Sequence, residues 1–266
     1  MRYFLLLFST LFIYTLHAEI IMGIVPQQSP LKLLKVWSPI TKYLSEKTGE
    51  KIIFKTEKSI TAFEKILYSG GYDFAYMNPY HFTVANKKQG YLAEIRAKKN
   101  IKGILVMKKE HATKNLDFKN MSYLFPAPNA FAATLLTKYD LLEKYGVSLE
   151  VLNKAKYVNS HDSVYKGVSR GLGDIGGGIE RTFNTLNDKK TKDTLITVHT
   201  TKAYPSHPFA FKPNMKKETK HKIIDSLLNI PLSYLETLRM KKLIPTDNNE
   251  YDSIEKLVTK LKIVEH

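Results

Sequence analysis

The chain has 266 residues, and its 41 lysines and arginines outnumber its 25 aspartates and glutamates, giving a formal net charge of +16 at pH 7. It contains no cysteine, which excludes disulfide bonds, thiolate metal sites, a cysteine nucleophile and a lipid-modified N-terminal cysteine. The charge is compatible with nucleic acid, an acidic membrane surface or an anionic ligand as partner. Because the lysines are spread over nearly every predicted helix, without a basic arm, we expect a solvated basic surface and no nucleic-acid partner.

The N-terminus has the composition of a secretory signal peptide. Arg2 is followed by a mostly apolar run over 4–16 and by the small residue Ala18. This run is shorter than the roughly 20 apolar residues that span a bilayer, so we expect cleavage after Ala18, an uncleaved anchor being the alternative. No second apolar stretch of membrane length follows. The sequence therefore predicts an exported, periplasmic protein whose mature part, 19–266, does not span the membrane.

Short apolar runs alternate with amphipathic helical stretches in the first part of the mature chain. Apolar residues recur at helical spacing at Leu33, Trp37, Ile40 and Leu44, and Gly49 is a suitable helix terminator. In chain order we predict a strand at 19–25, a helix ending at Gly49, a strand at 51–56, a helix at 62–68, a strand at 72–77, a helix opening at Asn78-Pro79, and strands at 91–97 and 101–108.

A second unit of the same kind follows. We predict a strand at 122–125, a helix at 130–145, a strand at 156–159, a helix at 162–170, strands at 174–178 and 195–200, and, after the chain returns near Tyr204, helices at 217–229, 233–242 and 254–262. This β-α-β-α alternation predicts parallel strands with crossover helices and hence an α/β fold. The domains expected are a signal peptide at 1–18, a first lobe at 19–106 and 206–266, and a second lobe at 107–205.

Five segments together resemble the phosphate/phosphite/phosphonate-binding family of ABC-transporter solute receptors. They are the end of the first helix, Tyr43-Leu44-Ser45-Glu46-Lys47-Thr48-Gly49, and then Gly71-Tyr72-Asp73-Phe74-Ala75, Asn78-Pro79-Tyr80, Ser160-His161-Asp162-Ser163-Val164 and Gly171-Leu172-Gly173-Asp174-Ile175-Gly176. The resemblance covers nearly the whole mature chain. It implies a type II periplasmic-binding-protein fold, with two α/β lobes joined by two crossover strands, a ligand between them and an ABC permease as partner. It also implies that Tyr80 faces the cleft and that His161 is a pocket histidine.

The sequence departs from this family at two ligand-binding places. The family holds phosphonate oxygens with serines and threonines at a helix start, where this chain reads Phe125-Pro126-Ala127-Pro128-Asn129-Ala130-Phe131-Ala132-Ala133 before Thr134. The carboxylate that meets an aminoalkyl group is also missing, because Gly176-Gly177-Gly178 and Ile179 occupy that place. We therefore expect an anionic ligand, either a phosphate- or phosphonate-like oxyanion or an organic acid, and these departures argue against specificity for aminophosphonates.

Helix starts supply the donors that an anion needs, through unpaired N–H groups and the helix dipole. Predicted helices start at Asn78, Asn129 and Ser160 after strand ends, where ligands of open α/β sheets bind, although plain helix capping explains each alone. Arg181 is suited to grip an acidic group in bidentate fashion, and a solvated arginine is the alternative. The candidate ligand-binding residues are Gln27, Asn78, Tyr80, Asn129, Ser160, His161, Asp162, Ser163, Gly177, Arg181, Tyr204 and His207.

Two other functions remain open. The same binding event could serve a periplasmic subunit that presents its closed form to a membrane histidine kinase. An enzyme on this scaffold would need a titratable pair across the cleft, and only the adjacent His161 and Asp162 are available. The histidines lack metal-site spacing, and no cofactor fingerprint or nucleophile motif is present. We therefore expect a monomeric binding protein with no catalytic residues, no metal and no cofactor.

Overall fold

The computed structural model describes residues 19–262. The predicted signal peptide and its cleavage after Ala18 lie outside the described residues. Within 19–262, none of the helices has the length and apolar character needed to cross a membrane.

The described residues form eleven strands and eleven α-helices. The strands are β1 (Ile20–Ile24), β2 (Ile52–Thr56), β3 (Phe74–Tyr76), β4 (Leu92–Ala97), β5 (Gly103–Lys108), β6 (Tyr123–Phe125), β7 (Lys156–Tyr157), β8 (Ile175–Ile179), β9 (Leu195–Thr200), β10 (Pro208–Phe211) and β11 (Leu243–Pro245). The helices are α1 (Pro30–Thr48), α2 (Ile60–Tyr68), α3 (Pro79–Gln89), α4 (Thr137–Tyr145), α5 (Leu149–Asn153), α6 (His161–Ser169), α7 (Glu180–Asn184), α8 (Lys189–Thr194), α9 (Lys217–Leu228), α10 (Leu232–Thr237) and α11 (Asp252–Lys260). A π-helix, Phe131–Leu136, precedes α4 directly.

The strands form two mixed sheets, one in each half of the molecule. The six-stranded sheet has the order β11-β4-β10-β3-β1-β2 and the five-stranded sheet the order β7-β6-β8-β5-β9. We call the part around the six-stranded sheet the first lobe and the part around the five-stranded sheet the second lobe. The α/β class predicted from the sequence is confirmed.

The prediction of parallel strands is right for only part of each sheet. β1 pairs in parallel with β2 and β3, and β6 pairs in parallel with β7 and β8. In contrast, β10 runs antiparallel to β3 and β4, β11 is antiparallel to β4, and β5 is antiparallel to β8 and β9. β5 and β10 follow the segments that cross between the lobes, so they enter their sheets without the helical crossover that makes neighbouring strands parallel.

The two crossing segments, 98–102 and 201–207, pair with each other. Ile101 N donates to Tyr204 O at 2.8 Å, and Tyr204 N donates to Ile101 O at 3.0 Å. Every residue of β5 lies in the second sheet, so the predicted lobe boundary after residue 106 falls inside this strand. Two adjacent crossings of this kind leave few backbone positions between the lobes that can act as a hinge.

Local sequence explains how α1 and α3 are placed. The predicted apolar face of α1 is buried, and Gly49 ends this helix with φ 74°, a conformation that glycine adopts without strain. Trp37 of that face packs against Tyr76 and Phe209. At the start of α3, the Asn78 side chain accepts a hydrogen bond from His81 N, as an N-cap residue does. α3 therefore begins just after the carboxyl end of β3, and α1 packs against that same strand end through Trp37.

The predicted helix at 130–145 starts differently from our expectation. Its first turn is the π-helix, whose N-cap is Ala130 and not Asn129, and all six of its residues are buried. This segment lies against two strands that have glycine at the contact. A Cβ atom at Gly103 would lie 2.1 Å from Ala132 O, and one at Gly177 would lie 2.0 Å from Ala133 O. The glycines therefore allow the backbone of the π-helix to touch β5 and β8.

Candidate functional site between the two lobes

A small cavity lies where strand ends and helix starts of the two lobes meet. Its volume is about 10 Å³, the space that one water molecule needs. The first lobe and the crossing segments contribute Val25, Gln27, Ile60, Asn78, Ile101 and His207, and the second lobe contributes Ala130, Phe131, Ala132, Ala133, His161 and Ile179. We call this space the interlobe cavity. Four of the predicted ligand-binding residues, Gln27, Asn78, His161 and His207, line it.

Two buried histidines line this cavity, His161 from the second lobe and His207 from a crossing segment. His161 is 3% exposed and His207 is 2% exposed. Burial lowers the pKa of His161 to about 4, and burial followed by the positive charge of Arg181 lowers the pKa of His207 well below 6.5. Both rings are therefore neutral at pH 7, and each has one N–H to donate and one nitrogen that accepts.

The partners of the two rings differ. His207 Nε2 lies 2.8 Å from Gln27 Nε2, and its ring stacks on Tyr76 with a centroid distance of 5.3 Å. These contacts fix the His207 ring against the first lobe. His161 Nδ1 is buried without a hydrogen-bond partner among the described residues. A buried polar atom of this kind costs free energy unless a ligand or water satisfies it.

Backbone donors line the second-lobe wall of the cavity. Phe131, Ala132 and Ala133 stand in the first turn of the π-helix, and none of their N–H groups donates to a backbone carbonyl among the described residues. The first hydroxyl of this segment is not available, because Thr134 Oγ1 donates to Ala127 O at 2.8 Å and the residue is fully buried. Where side-chain hydroxyls are missing, the wall therefore offers the N–H groups of a helix start.

Direct contacts between the lobes surround the cavity. Asn78 Nδ2 donates to Asn129 O at 3.0 Å, and Arg181 Nη1 donates to Leu238 O at 3.2 Å. A half-exposed ion pair joins Lys32 Nζ to an oxygen of Asp162 at 3.3 Å. Buried residues of the π-helix also belong to the same apolar core as α1 and α3. The two lobes are closed on each other.

Other predicted site residues lie elsewhere. Tyr80 and Asn129 line a separate cleft of about 1010 Å³ between the lobes, on the side of α2 and α3. Tyr80 therefore lies at a cleft between the lobes, as the resemblance implies, but it does not line the interlobe cavity with His161. The reason is helical geometry, since Tyr80 follows Asn78 by only two positions and leaves α3 in another direction.

The serines and the aspartate at the start of α6 are engaged with their own surroundings. Ser160 Oγ accepts a hydrogen bond from Ser163 N at 3.1 Å and lies 2.8 Å from Ser163 Oγ. Asp162 pairs with Lys32. Capping therefore accounts for Ser160 and Ser163, the alternative that the sequence left open.

Gly177 and Tyr204 do not line the interlobe cavity. The space beside Gly177 is filled by Ala133 O and the Phe125 ring, so this glycine serves packing and not the approach of a ligand. Tyr204 belongs to the crossing segment, where its ring meets Phe131 edge-on at 5.8 Å. Arg181 lies beside the interlobe cavity and lines neighbouring cavities instead.

Sequence reasoning missed the apolar wall of the cavity. Ile60, Ile101 and Ile179 line it together with the alanines of the π-helix. Residues of these types occur throughout buried cores and carry no chemical signal of a site. Tyr76, which supports His207, was also missed, although its place at the end of a buried strand was a usable signal.

Comparison with known proteins decides the family. The family profile described as "ABC transporter, phosphonate, periplasmic substrate-binding protein" matches residues 22–251. The chain belongs to this family. It is therefore grouped with periplasmic substrate-binding proteins of ABC transporters, and the resemblance stated from the sequence is confirmed. This membership favours transport over the histidine-kinase alternative.

Solved structures of similar proteins share the fold of this family member. PhnD1 from Prochlorococcus marinus, in complex with methylphosphonate, is 18% identical and has a TM-score of 0.84 over 92% of this chain and 99% of that chain. A binding-protein component of an ABC phosphonate transporter from Pseudomonas aeruginosa is 16% identical, with a TM-score of 0.83 over 92% and 87% of the two chains. A histidine-kinase sensor domain is 10% identical, with a TM-score of 0.58 over 86% and 99%. The predicted type II periplasmic-binding-protein fold is confirmed.

Proposed function

We propose that this protein captures a small oxyanion of the phosphonate or phosphate class between its lobes in the periplasm and delivers it to an ABC permease. The observation that carries this proposal is the convergence of neutral donors on the interlobe cavity. They are the Gln27 amide, the imidazoles of His161 and His207, and the first N–H groups of the π-helix. Preorganised donors of this kind replace the hydration shell of an anion.

Entry of a ligand requires the lobes to part. An oxyanion group has at least four heavy atoms, whereas the interlobe cavity has room for one water molecule. Opening breaks the Asn78–Asn129, Arg181–Leu238 and Lys32–Asp162 contacts and separates the π-helix from the apolar core of the first lobe. The ligand then favours closure by contacting both lobes, as a hinge mechanism requires.

We propose no catalysis at this site. Acid–base chemistry would need a carboxylate or a second titratable group hydrogen-bonded to His161. Asp162 is instead paired with Lys32, and His161 Nδ1 has no hydrogen-bond partner among the described residues. This arrangement supports binding alone.

The test is ligand-dependent stabilisation of the mature chain, 19–266. Thermal unfolding is measured with phosphate, phosphite, methylphosphonate, sulfate and acetate, and calorimetry gives the Kd of each compound that raises Tm. At 100 times Kd, a ligand stabilises the folded state by about 2.7 kcal/mol, which raises Tm by about 5 to 10 °C in a chain of this size. Absence of a shift with every phosphorus oxyanion contradicts the proposal.

The matched variants are His161→Ala and His221→Ala. His161 lines the interlobe cavity, whereas His221 is exposed on α9. We expect His161→Ala to raise Kd at least about tenfold, the equivalent of one charge-assisted hydrogen bond, and His221→Ala to leave it unchanged. If the two variants change Kd equally, His161 is not part of the ligand-binding site.

A further inference from the structure

A second cavity, lined by cationic side chains, lies next to the interlobe cavity. Its volume is about 260 Å³, and Lys99, Lys102, Arg181, Arg239 and Lys241 line it. We call it the basic cavity. Ile101, Ile179 and His207 line both cavities, so no more than one layer of side chains separates them. Both lobes contribute to its wall, as they do to the interlobe cavity.

The charge of the basic cavity is not balanced by the protein. Glu180 is the only carboxylate in its lining, and it pairs with Lys99 at 3.6 Å. Among the described residues, none of the ion pairs involves Lys102, Arg181, Arg239 or Lys241. Five cations, four of them exposed, against one carboxylate give this cavity a positive potential that attracts an anion.

Arg239 is held at the cavity by a strained backbone. Its φ is 55°, in the left-handed region, at the position after α10 where helices usually have glycine. The turn is closed by Arg239 N donating to Glu236 O at 3.0 Å and Met240 N donating to Leu235 O at 2.8 Å. A non-glycine residue in this conformation destabilises the fold by about 1 kcal/mol relative to glycine. Arg239 therefore lines the cavity at a position where glycine would give a more stable turn.

Arg181 connects this cavity to the lobe contact. Its Nη1 donates to Leu238 O, in the residue before Arg239, and its charge acts on both His161 and His207. One side chain of the second lobe therefore lies near the donors of the interlobe cavity and near the turn that carries Arg239.

We infer that the ligand class is an oxyanion that carries a second acidic group, such as a phosphonocarboxylate. This inference rests on the proposed function. The phosphonate group takes the neutral donors of the interlobe cavity, and the carboxylate extends into the basic cavity toward Arg181 and Arg239. Guanidinium groups suit this role because they bind carboxylates in bidentate fashion. A substituent with a positive charge would be repelled there.

Three phosphonates test the inference by calorimetry on the mature chain: phosphonoacetate, 2-aminoethylphosphonate, which has a chain of similar length but an amine in place of the carboxylate, and methylphosphonate, which has neither group. We expect phosphonoacetate to bind at least about tenfold more tightly than 2-aminoethylphosphonate. Equal binding of the three, or tighter binding of the amine, overturns the inference while the proposed function stands. Failure of every phosphonate to bind overturns the inference, and the proposed function falls with it only if phosphate and phosphite also fail to bind.

The decisive variant is Arg239→Gly, because it removes the charge without damaging the turn. We expect its preference for phosphonoacetate over methylphosphonate to fall about tenfold, while Tm without ligand stays equal or rises. Arg181→Gln is expected to lower the same preference. The control is Lys242→Ala, an exposed lysine beside Lys241 that does not line the cavity, and its preference should not change. A preference that survives both arginine variants overturns the inference.

Discussion

Acidification is expected to destabilise this protein through His161. The imidazole is 3% exposed, and burial lowers its pKa from 6.5 to about 4. The unfolded chain takes up the proton near pH 6.5 and the folded chain only near pH 4, so between these values the unfolded state binds more protons. The free energy of unfolding is therefore undiminished by His161 above about pH 6.5, and it falls as pH decreases from about 6.5 to about 4. A difference of about 2.5 pKa units corresponds to about 3 kcal/mol of unfolding free energy.

Urea unfolding of the ligand-free protein between pH 7 and pH 4 measures this loss. Wild type is compared with His161→Gln, whose amide does not titrate, so the acid effects common to both proteins cancel. We expect wild type to lose about 3 kcal/mol more than the variant. Part of the pH dependence remains in the variant, because the pKa of His207 is lowered as well. His221→Gln, at an exposed position, is the control. If the free energy of unfolding depends on pH identically in wild type and His161→Gln, the argument that the His161 imidazole is buried and neutral in the folded state is refuted.

Two further predictions concern stability outside the interlobe cavity. Lys138 is 8% exposed, its Nζ donates to the Tyr157 hydroxyl at 3.0 Å, and burial lowers its pKa to about 8. Because the native state disfavours the charged form of Lys138, the free energy of unfolding should rise between about pH 8 and pH 10.5. At pH 7, Lys138→Met should increase the free energy of unfolding by about 1 kcal/mol, after the loss of the hydrogen bond to Tyr157 is subtracted. Lys119→Met, at an exposed position whose side chain is in none of the ion pairs of the described residues, should add nothing. A gain there, or no gain at Lys138, would contradict this prediction. Gly177→Ala should lower the free energy of unfolding by at least about 2 kcal/mol, because the new Cβ would lie 2.0 Å from Ala133 O. A variant with wild-type stability and weakened ligand binding would instead show that Gly177 is a ligand-binding residue.

The parts of the fold that the sequence predicted depend on local rules. The apolar spacing of α1, its end at Gly49 and the start of α3 at Asn78 all agree with the structure. In each case a few consecutive residues determine the outcome, through burial of one helical face, a positive φ or a side-chain cap. Long-range partners are not needed for such predictions.

The remainder depends on contacts between distant segments. The antiparallel direction of β10 follows from the return of the chain between lobes, and no local pattern encodes it. The π-helix starts at Phe131 because glycines at 103 and 177, remote in sequence, admit its backbone. Likewise, Asn129 resembled an N-cap residue, but its carbonyl is used by Asn78 across the lobe contact. The candidate site was predicted where a residue type carries chemistry, at His161 and His207, and not where alanine and isoleucine form the wall.

The interlobe cavity and the basic cavity differ in charge, and this difference suits them to recognise different parts of an anionic ligand. None of the twelve residues that line the interlobe cavity is a lysine, arginine, aspartate or glutamate. A lysine buried there would have to lose its hydration whenever the lobes closed without ligand, a cost of several kcal/mol. Neutral imidazoles and amides allow closure over a single water molecule without burying a charge. The four cations of the basic cavity other than Arg181 are exposed, so they keep their hydration until a ligand arrives. Discrimination by charge therefore has to come from the basic cavity, while the interlobe cavity selects the shape and hydrogen bonding of the oxyanion.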